Sequence, residues 1–143
     1  MAEHDSGGWT LERTIPSETA IGSELVSGLL AAMQEYAWPA AELFHVQLAY
    51  EEAIVNAIRH GNEFAADKTV QVRLSCTADE VRIEIADMGP GFDPDSLPDP
   101  RAEDRLEVPG GRGVMLIHEL MSEVTYHPPG NRVTMIKRRP PSP

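Results

Sequence analysis

The sequence has one cysteine, no long apolar run and few basic residues. Cys76 alone cannot form a disulfide within the chain, and a zinc site built on cysteines is excluded by the same count. Its alternating apolar surroundings indicate a buried, unreactive thiol. No apolar stretch reaches the roughly 20 residues that a membrane-spanning helix needs. The acidic, polar start of the chain is unlike a secretory signal. We therefore expect a cytoplasmic protein.

Positive charge is also scarce, because 12 Lys and Arg stand against 23 Asp and Glu and leave a formal net charge of −11. Nucleic acids are bound through clustered Lys and Arg, so this balance argues against direct nucleic-acid binding. An anionic ligand would need local backbone N–H groups and a metal ion. With 143 residues, 41% of them hydrophobic, the chain can form one domain with one ordinary core.

Apolar periodicity predicts the secondary structure. Alternation predicts five strands, the first of them an edge strand, and apolar residues spaced three to four apart predict three helices. The predicted strands are 9–15, 70–76, 81–86, 124–127 and 132–138, and the predicted helices run from Ser17, a candidate N-cap, to Tyr36, from Pro39 to Gly61, and from Gly113 to Met121. Because the strands cluster in hairpins, we predict an α/β two-layer sandwich, in which a mostly antiparallel mixed sheet carries helices on one face.

Segments without apolar periodicity set the expected domain bounds. Residues 1–8 indicate a flexible tail and residues 139–143 a disordered one, which leaves a single domain over 9–138. A Pro-rich, charged stretch at about 93–112 interrupts that domain. Long loops inside compact domains are typically functional lids or disordered segments. The position of this stretch between two glycine motifs favours a lid.

Glu52 and Asn56 lie four residues apart on the second predicted helix, so they share one face of it. A carboxylate and an amide that face the domain interior need partners there. The amide oxygen of Asn is a hard ligand that suits Mg²⁺, and a Glu carboxylate can act as a base toward a hydroxyl or a water. For this pair taken alone, a solvated helix face is the alternative interpretation.

The stretch Asp87-Met88-Gly89-Pro90-Gly91-Phe92 follows the third predicted strand. Asp87 keeps the parity of the apolar residues in that strand, so alternation points it toward the helices. A carboxylate there must find hydrogen-bond donors, and the exocyclic amine of a purine is one. Gly89 and Gly91 would let the backbone bend and approach a flat ligand closely. A simple Asp-x-Gly turn is the alternative.

Three glycines, Gly110, Gly111 and Gly113, surround Arg112 where the third predicted helix begins. Free N–H groups and the positive end of the helix dipole make such a start an anion site. Arg112 could add a charge-assisted contact to a phosphate or to a protein partner. No GxxxxGK[ST] phosphate loop is present in the sequence.

The order and spacing of these motifs resemble a known superfamily. Glu52-x-x-x-Asn56-Ala57-x-x-His60-Gly61, Asp87-x-Gly89-x-Gly91-Phe92 and Gly111-x-Gly113 at a helix start resemble the Bergerat-fold (GHKL, histidine-kinase-like) ATPases. The resemblance covers about Leu11 to Arg138. Within the superfamily, the stretches 52–62 and 110–124 are most similar to the stand-alone anti-sigma-factor serine kinases of bacteria. The chain departs from that pattern at Met115, where many relatives have a further glycine, and at Ser122, where the family has an aspartate.

The resemblance implies roles for the candidate residues. Asn56 would coordinate Mg²⁺ between the ATP phosphates, Glu52 would be the base that activates the acceptor serine, and Asp87 would bind the adenine amine. The implied nucleotide-binding set is Asn56, Asp87, Gly89, Gly91, Gly111, Arg112 and Gly113. The implied protein is an ATP-dependent protein serine kinase that acts as an anti-sigma factor. Its partners would be an anti-anti-sigma factor, as substrate, and a sigma factor, and it would form a homodimer.

Two alternative functions stand beside this one. In a non-catalytic binding protein, ATP would only control the affinity for a sigma factor or another regulator, and the residues alone leave this alternative open. We do not expect a histidine kinase fragment, because no pair of helices for dimerisation and phosphoacceptance is predicted before the ATPase motifs.

Overall fold

The computed structural model describes residues 8–91 and 111–141. The expected lid, up to residue 110, and most of the expected N-terminal tail lie outside these ranges. Five strands form one sheet in the order β1-β2-β3-β5-β4, and all four neighbouring pairs are antiparallel. The strands are β1 (Trp9–Pro16), β2 (Thr69–Cys76), β3 (Glu80–Ala86), β4 (Glu123–His127) and β5 (Arg132–Arg138). The helices are α1 (Thr19–Glu24), α2 (Val26–Glu35), α3 (Ala40–Val55), a π-helix (Asn56–Gly61) and α4 (Gly111–Leu120).

The alternation of apolar residues explains the two layers. The apolar residues of β2 and β3 are buried against α2 and α3, and their polar neighbours line the other face of the sheet. On that open face, Arg73 lies between Glu12 and Glu84 on the neighbouring strands, and its Nε donates to the Glu12 carboxylate at 2.8 Å. These observations confirm the predicted sandwich, and they confirm β1 as an edge strand.

The fold buries its one cysteine. Cys76 has no exposed surface at the end of β2. Burial raises the pKa of its thiol to about 11, so the thiol is protonated at neutral pH. The protonated thiol is the less reactive form. The expected burial of the thiol is confirmed.

The first predicted helix is divided in two at Leu25. The Leu25 N–H bonds to the Gly22 carbonyl, only three residues back, at 3.3 Å. That carbonyl also accepts the Tyr50 hydroxyl of α3 at 2.6 Å, and this contact holds α1 to α3. The prediction of Ser17 as N-cap was wrong, because Glu18 occupies that position without a side-chain cap. Ser17 instead donates its hydroxyl to the Lys68 carbonyl at 2.7 Å.

The second predicted helix has the expected start and end, but its last turn is different. Pro39 is the N-cap of α3, and its φ of −62° is the value that the proline ring fixes. From Asn56 to Gly61 the winding widens into a π-helix. The Asn62 N–H continues this wider pattern, since it bonds to the Ala57 carbonyl, five residues back, at 2.9 Å. Such π-helical turns are rare and frequently lie at functional sites.

Arg139 belongs to the folded domain, although the sequence assigned it to the C-terminal tail. Its guanidinium donates to the carbonyls of Tyr36 and Ala37 at 2.8 and 2.6 Å, at the C-terminal end of α2. It also lies 5.7 Å from the ring centroid of Trp38, which adds a cation–π contact.

Among the described helices, none is both long and apolar enough to cross a membrane.

Candidate functional site

The Asp87 turn lies where β3 ends beside the π-helix. Asp87 is half-buried, and the Gly89 N–H donates to its Oδ1 at 2.7 Å. The carboxyl group lies directly against Gly61, because a Cβ built on Gly61 would stand 2.4 Å from its Cγ. The carboxyl therefore occupies the helix side of the sheet, as the strand alternation predicts.

The glycines around this carboxyl are required by close backbone approach. A Cβ on Gly89 would lie 2.1 Å from the Gly61 carbonyl oxygen. Gly91 has a φ of +83°, and a Cβ there would lie 2.2 Å from the Pro129 carbonyl oxygen. A larger residue at Gly89 or Gly91 would displace backbone, which cannot yield as a flexible side chain can. The turn is thus packed tightly between the π-helix and the β4–β5 connection.

Two asparagines hold the main chain of the turn. The fully buried Asn62 accepts the Met88 N–H on its Oδ1 at 2.7 Å. On the other side, the Asn131 carbonyl accepts the Asp87 N–H at 2.8 Å, and the Asn131 side chain donates to the Gly89 carbonyl at 3.2 Å. Neither asparagine was identified as a site residue from the sequence. In the sequence, Asn62 is only the last residue of the stretch 52–62, and Asn131 only precedes the predicted strand 132–138.

Glu52 and Asn56 lie one helical turn apart, on α3 and at the first position of the π-helix. Both are half-buried. Within residues 8–91 and 111–141, neither side chain has a hydrogen-bonding or ionic partner, and neither has a fully buried polar atom left unsatisfied. Two hard oxygen donors are thus available at a partly enclosed position. This donor set fits a Mg²⁺ ion and a base.

Two glycines of the third motif, Gly111 and Gly113, lie in the first turn of α4. This helix begins at Gly111, two residues earlier than predicted, and packs against α3. Its other end is tied down, since the Lys137 Nζ donates to the Leu120 carbonyl at 2.6 Å and lies 3.5 Å from the Glu42 carboxylate of α3. α4 is therefore held against the helix that bears Glu52. Phe92 and Gly110 lie outside the described residues.

Burial controls the electrostatics of the Asp87 carboxyl. It raises the pKa of Asp87, while the Gly89 N–H and the positive charge of Lys68 oppose that rise. Burial also lowers the pKa of His60 in the π-helix, with a further contribution from Arg59, so His60 is biased toward its neutral form. The described residues of this region hold no group of three or more His, Cys, Asp or Glu that could bind a metal by themselves.

The fold and the site together define a class of protein. An antiparallel sheet with helices on one face, a carboxylate turn at the end of an inner strand, and a Glu and Asn pair on the facing helix are the features of a GHKL-type ATPase domain. Comparison with known proteins identifies the family. The sequence matches the histidine kinase-like ATPase domain family over residues 15–137, and the chain belongs to that family.

Two curated relatives are protein kinases. The serine/threonine-protein kinase BtrW of Bordetella bronchiseptica is 30% identical over 91 residues, which are 62% of this chain and 64% of that protein. The serine-protein kinase RsbW of Listeria innocua is 28% identical over 129 residues, which are 85% of this chain and 80% of that protein. The first match therefore spans just under two thirds of the relative's length. Membership of an ATPase family implies that the chain binds ATP.

Proposed function

We propose that this protein is an ATP-dependent protein serine kinase that acts as an anti-sigma factor and phosphorylates an anti-anti-sigma factor. One observation carries the proposal. One continuous helical segment, from Glu52 through the π-helix to Gly61, carries a candidate base and a candidate metal ligand. The same segment carries Gly61, against which the Asp87 carboxyl packs. These are the parts that phosphoryl transfer from ATP requires, since its catalysis consists mainly of positioning and charge stabilisation.

The nucleotide would lie along this segment. The Asp87 carboxylate would accept the adenine amine, and Gly89 and Gly91 would allow the base to approach the backbone. Gly111, Arg112 and Gly113, at the first turn of α4, would serve the phosphates through free N–H groups and the helix dipole. The contact of α4 with α3 supports this placement, because α3 is the helix that bears Glu52.

Asn56 would hold a Mg²⁺ ion together with the phosphates. A metal ion bound there would neutralise charge on the phosphates, which the strongly negative chain does not do by its net charge. Glu52, one turn earlier and without a partner among the described residues, would accept the proton of the acceptor serine. The Glu52 carboxylate must be ionised for this role.

The partners are proposed on the family resemblance. The kinase names of BtrW and RsbW support protein phosphorylation by this chain. The similarity of residues 52–62 and 110–124 to stand-alone anti-sigma-factor kinases supports a sigma factor and its antagonist as the two partners, and a homodimer as the working form. Sedimentation equilibrium would test the dimer, which has twice the chain mass of 15.7 kDa.

Glu52→Gln tests the catalytic base. We expect phosphate transfer from labelled ATP to the antagonist to slow by about 100-fold or more, because a positioned general base contributes at least that much. The affinity for ATP should change little. Glu51→Gln is the matched control, since Glu51 is the neighbouring carboxylate and accepts the Ser23 hydroxyl at 2.9 Å.

Transfer by Glu52→Gln at the wild-type rate would show that Glu52 is not the base. If wild-type protein formed no phosphoprotein, while ATP still changed its affinity for a sigma factor, the non-catalytic ATP-gated binding protein would replace the kinase. The substrate to use is a small anti-anti-sigma protein with an acceptor serine, to be sought among the products of neighbouring genes.

Asn56→Ala tests the metal site. In wild-type protein we expect ATP affinity to fall about tenfold when Mg²⁺ is chelated, a difference of about 1.4 kcal/mol. In Asn56→Ala the affinity should be low with or without Mg²⁺. Gln47→Ala is the control, because Gln47 is an exposed amide on the same helix. Calorimetry that showed full Mg²⁺-dependent affinity in Asn56→Ala would remove Asn56 from the metal site.

A further inference from the structure

Asn62 uses its whole side chain to join three parts of the fold. Its Nδ2 donates to the Ser17 hydroxyl and to the Thr69 carbonyl, each at 3.0 Å, and its Oδ1 accepts the Met88 N–H at 2.7 Å. Both amide protons and the oxygen are therefore occupied. Asn62 has no exposed surface. A buried amide that is fully bonded rigidifies its surroundings.

The three connections converge on the Asp87 turn. Ser17 follows β1, Thr69 begins β2, and Met88 is the residue directly after Asp87. The Thr69 N–H additionally contacts the Met88 sulfur at 3.3 Å. Asn62 itself is the residue after the π-helix that carries Asn56. It therefore fixes the distance between the π-helix and the turn.

Asn131 holds the same turn from the opposite side. Its carbonyl oxygen accepts the Asp87 N–H, and its amide donates to the Gly89 carbonyl. Asn62 and Asn131 are here called the asparagine clamp. Together they bond the main chain at three successive residues, Asp87, Met88 and Gly89.

The clamp matters because the carboxyl has no room to move toward the π-helix. A Cβ on Gly61 would stand 2.4 to 2.6 Å from the atoms of the Asp87 carboxyl group. Hydrogen bonds weaken steeply as their angle departs from linearity. A small shift of the turn would therefore spoil a bond to a purine amine before it disturbed the rest of the fold. The clamp is neutral, so it adds no charge beside the carboxyl or the nearby Lys68.

We infer that the asparagine clamp positions the Asp87 carboxyl so that the site selects a purine that carries an exocyclic amine. Asn62 and Asn131 are positioning residues, since they act through the turn and not on the ligand. The inference rests on the proposed nucleotide site. It adds that base selectivity depends on two residues that do not touch the ligand.

The test compares ATP with inosine triphosphate, whose base has an oxygen in place of the amine. Dissociation constants for both Mg²⁺ complexes are measured calorimetrically on wild type, Asn62→Ala and Asn131→Ala. We expect wild type to prefer ATP by about tenfold or more, the range of one to two hydrogen bonds. The preference should fall about fivefold in Asn62→Ala and about threefold in Asn131→Ala, where the main-chain bond to Asp87 remains. The loss should come from weaker binding of ATP, with inosine triphosphate binding nearly unchanged.

Ser17→Ala is the matched control. It removes one bond of Asn62 but leaves the bond to Met88, so the ATP preference should persist even if the protein is less stable. A purely structural role for the clamp would lower the affinity for both nucleotides equally. Thermal unfolding shows which variants are folded at the temperature of the titration.

The outcomes separate the inference from the proposed function. A folded Asn62→Ala with the wild-type preference for ATP overturns the inference. If Asn62→Ala does not fold, Asn131→Ala decides, because Asn131 is partly exposed and its side chain lies outside the core. Wild-type protein that bound no Mg-ATP would contradict the proposed function, and the inference would fall with it. Wild-type binding without any preference would overturn the inference alone.

Discussion

At the scale of single residues, Asp87 shows a conflict between stability and function. The fold buries its carboxyl against Gly61, and within the described part of the chain its one recorded donor is the Gly89 N–H. A carboxylate has acceptor capacity for several donors. The remaining capacity is available to a ligand, and the folded protein bears the cost of desolvating the charge when no ligand is bound.

Asp87→Asn should reveal that cost. The pKa of Asp87 is raised in the fold, so the folded state favours the protonated form. Asp87 therefore contributes its full stabilisation at a pH below its pKa in the unfolded state. That contribution is lost as the pH rises through its pKa in the folded state. We therefore expect Asp87→Asn to be at least as stable as wild type at pH 7 and to lose that advantage as the pH is lowered. Urea unfolding of both proteins at pH 7 and at successively lower pH measures the difference in their free energies of unfolding.

Asp79→Asn is the control for Asp87→Asn, because it removes the same charge from an exposed turn. The affinity for Mg-ATP should fall about tenfold or more in Asp87→Asn and remain unchanged in Asp79→Asn. An Asp87→Asn protein that was less stable than Asp79→Asn at pH 7 would show that desolvation of Asp87 is not the dominant effect.

At the scale of helices and strands, the apolar pattern within a segment predicted the secondary structure of that segment. All five strands were predicted to within a residue or two, because each alternates apolar and polar residues over its length. The start of α3 at Pro39 was equally clear. The Glu52, Asn56 and Asp87 positions followed from spacing and parity within single elements.

The features that were not predicted depend on contacts between distant segments. The break between α1 and α2 coincides with the bond from Tyr50 to Gly22, which lie 28 residues apart. Asn62 bonds Ser17, 45 residues away, and the Arg139 contact with Tyr36 spans 103 residues. No periodicity within a window of 11 to 18 residues contains such information. The asparagine clamp belongs to this group.

Tyr50→Phe should separate the packing of α1 from the function of the site. The Tyr50 hydroxyl is fully buried and donates to the Gly22 carbonyl at 2.6 Å. Its removal should destabilise the protein by about 1–2 kcal/mol, because a buried carbonyl loses its best donor. Ser23→Ala, which removes a half-exposed hydroxyl from the same α1–α3 contact, should cost less.

Mg-ATP affinity should stay within about twofold of wild type in Tyr50→Phe, since Asp87 and its clamp lie on other contacts. Urea unfolding and calorimetry provide the two measurements. A large loss of ATP affinity at unchanged stability would instead place the α1–α3 contact within the binding site.

At the scale of the whole molecule, the charge of the chain opposes its proposed ligand. The formal net charge is −11, and ATP is an anion. The candidate binding groups are local and mostly uncharged: backbone N–H groups, an asparagine amide and the start of α4. Net charge acts over the distance of the Debye length, whereas these groups act only on contact. The net charge of the chain therefore repels ATP at long range, whereas the candidate binding groups attract it on contact.

This opposition predicts an unusual salt dependence. The Debye length falls from about 30 Å at 0.01 M salt to about 8 Å at 0.15 M, so salt should screen the repulsion of the approaching anion. We expect the association rate of Mg-ATP to rise, by about twofold or more, over this range. Stopped-flow measurements with a fluorescent ATP analogue provide the rate. Adenosine is the control ligand, because it carries no charge and its association should not depend on salt. A rate that fell with added salt would mean that a local positive field, such as that of Arg112 and the α4 dipole, already outweighs the net charge at long range.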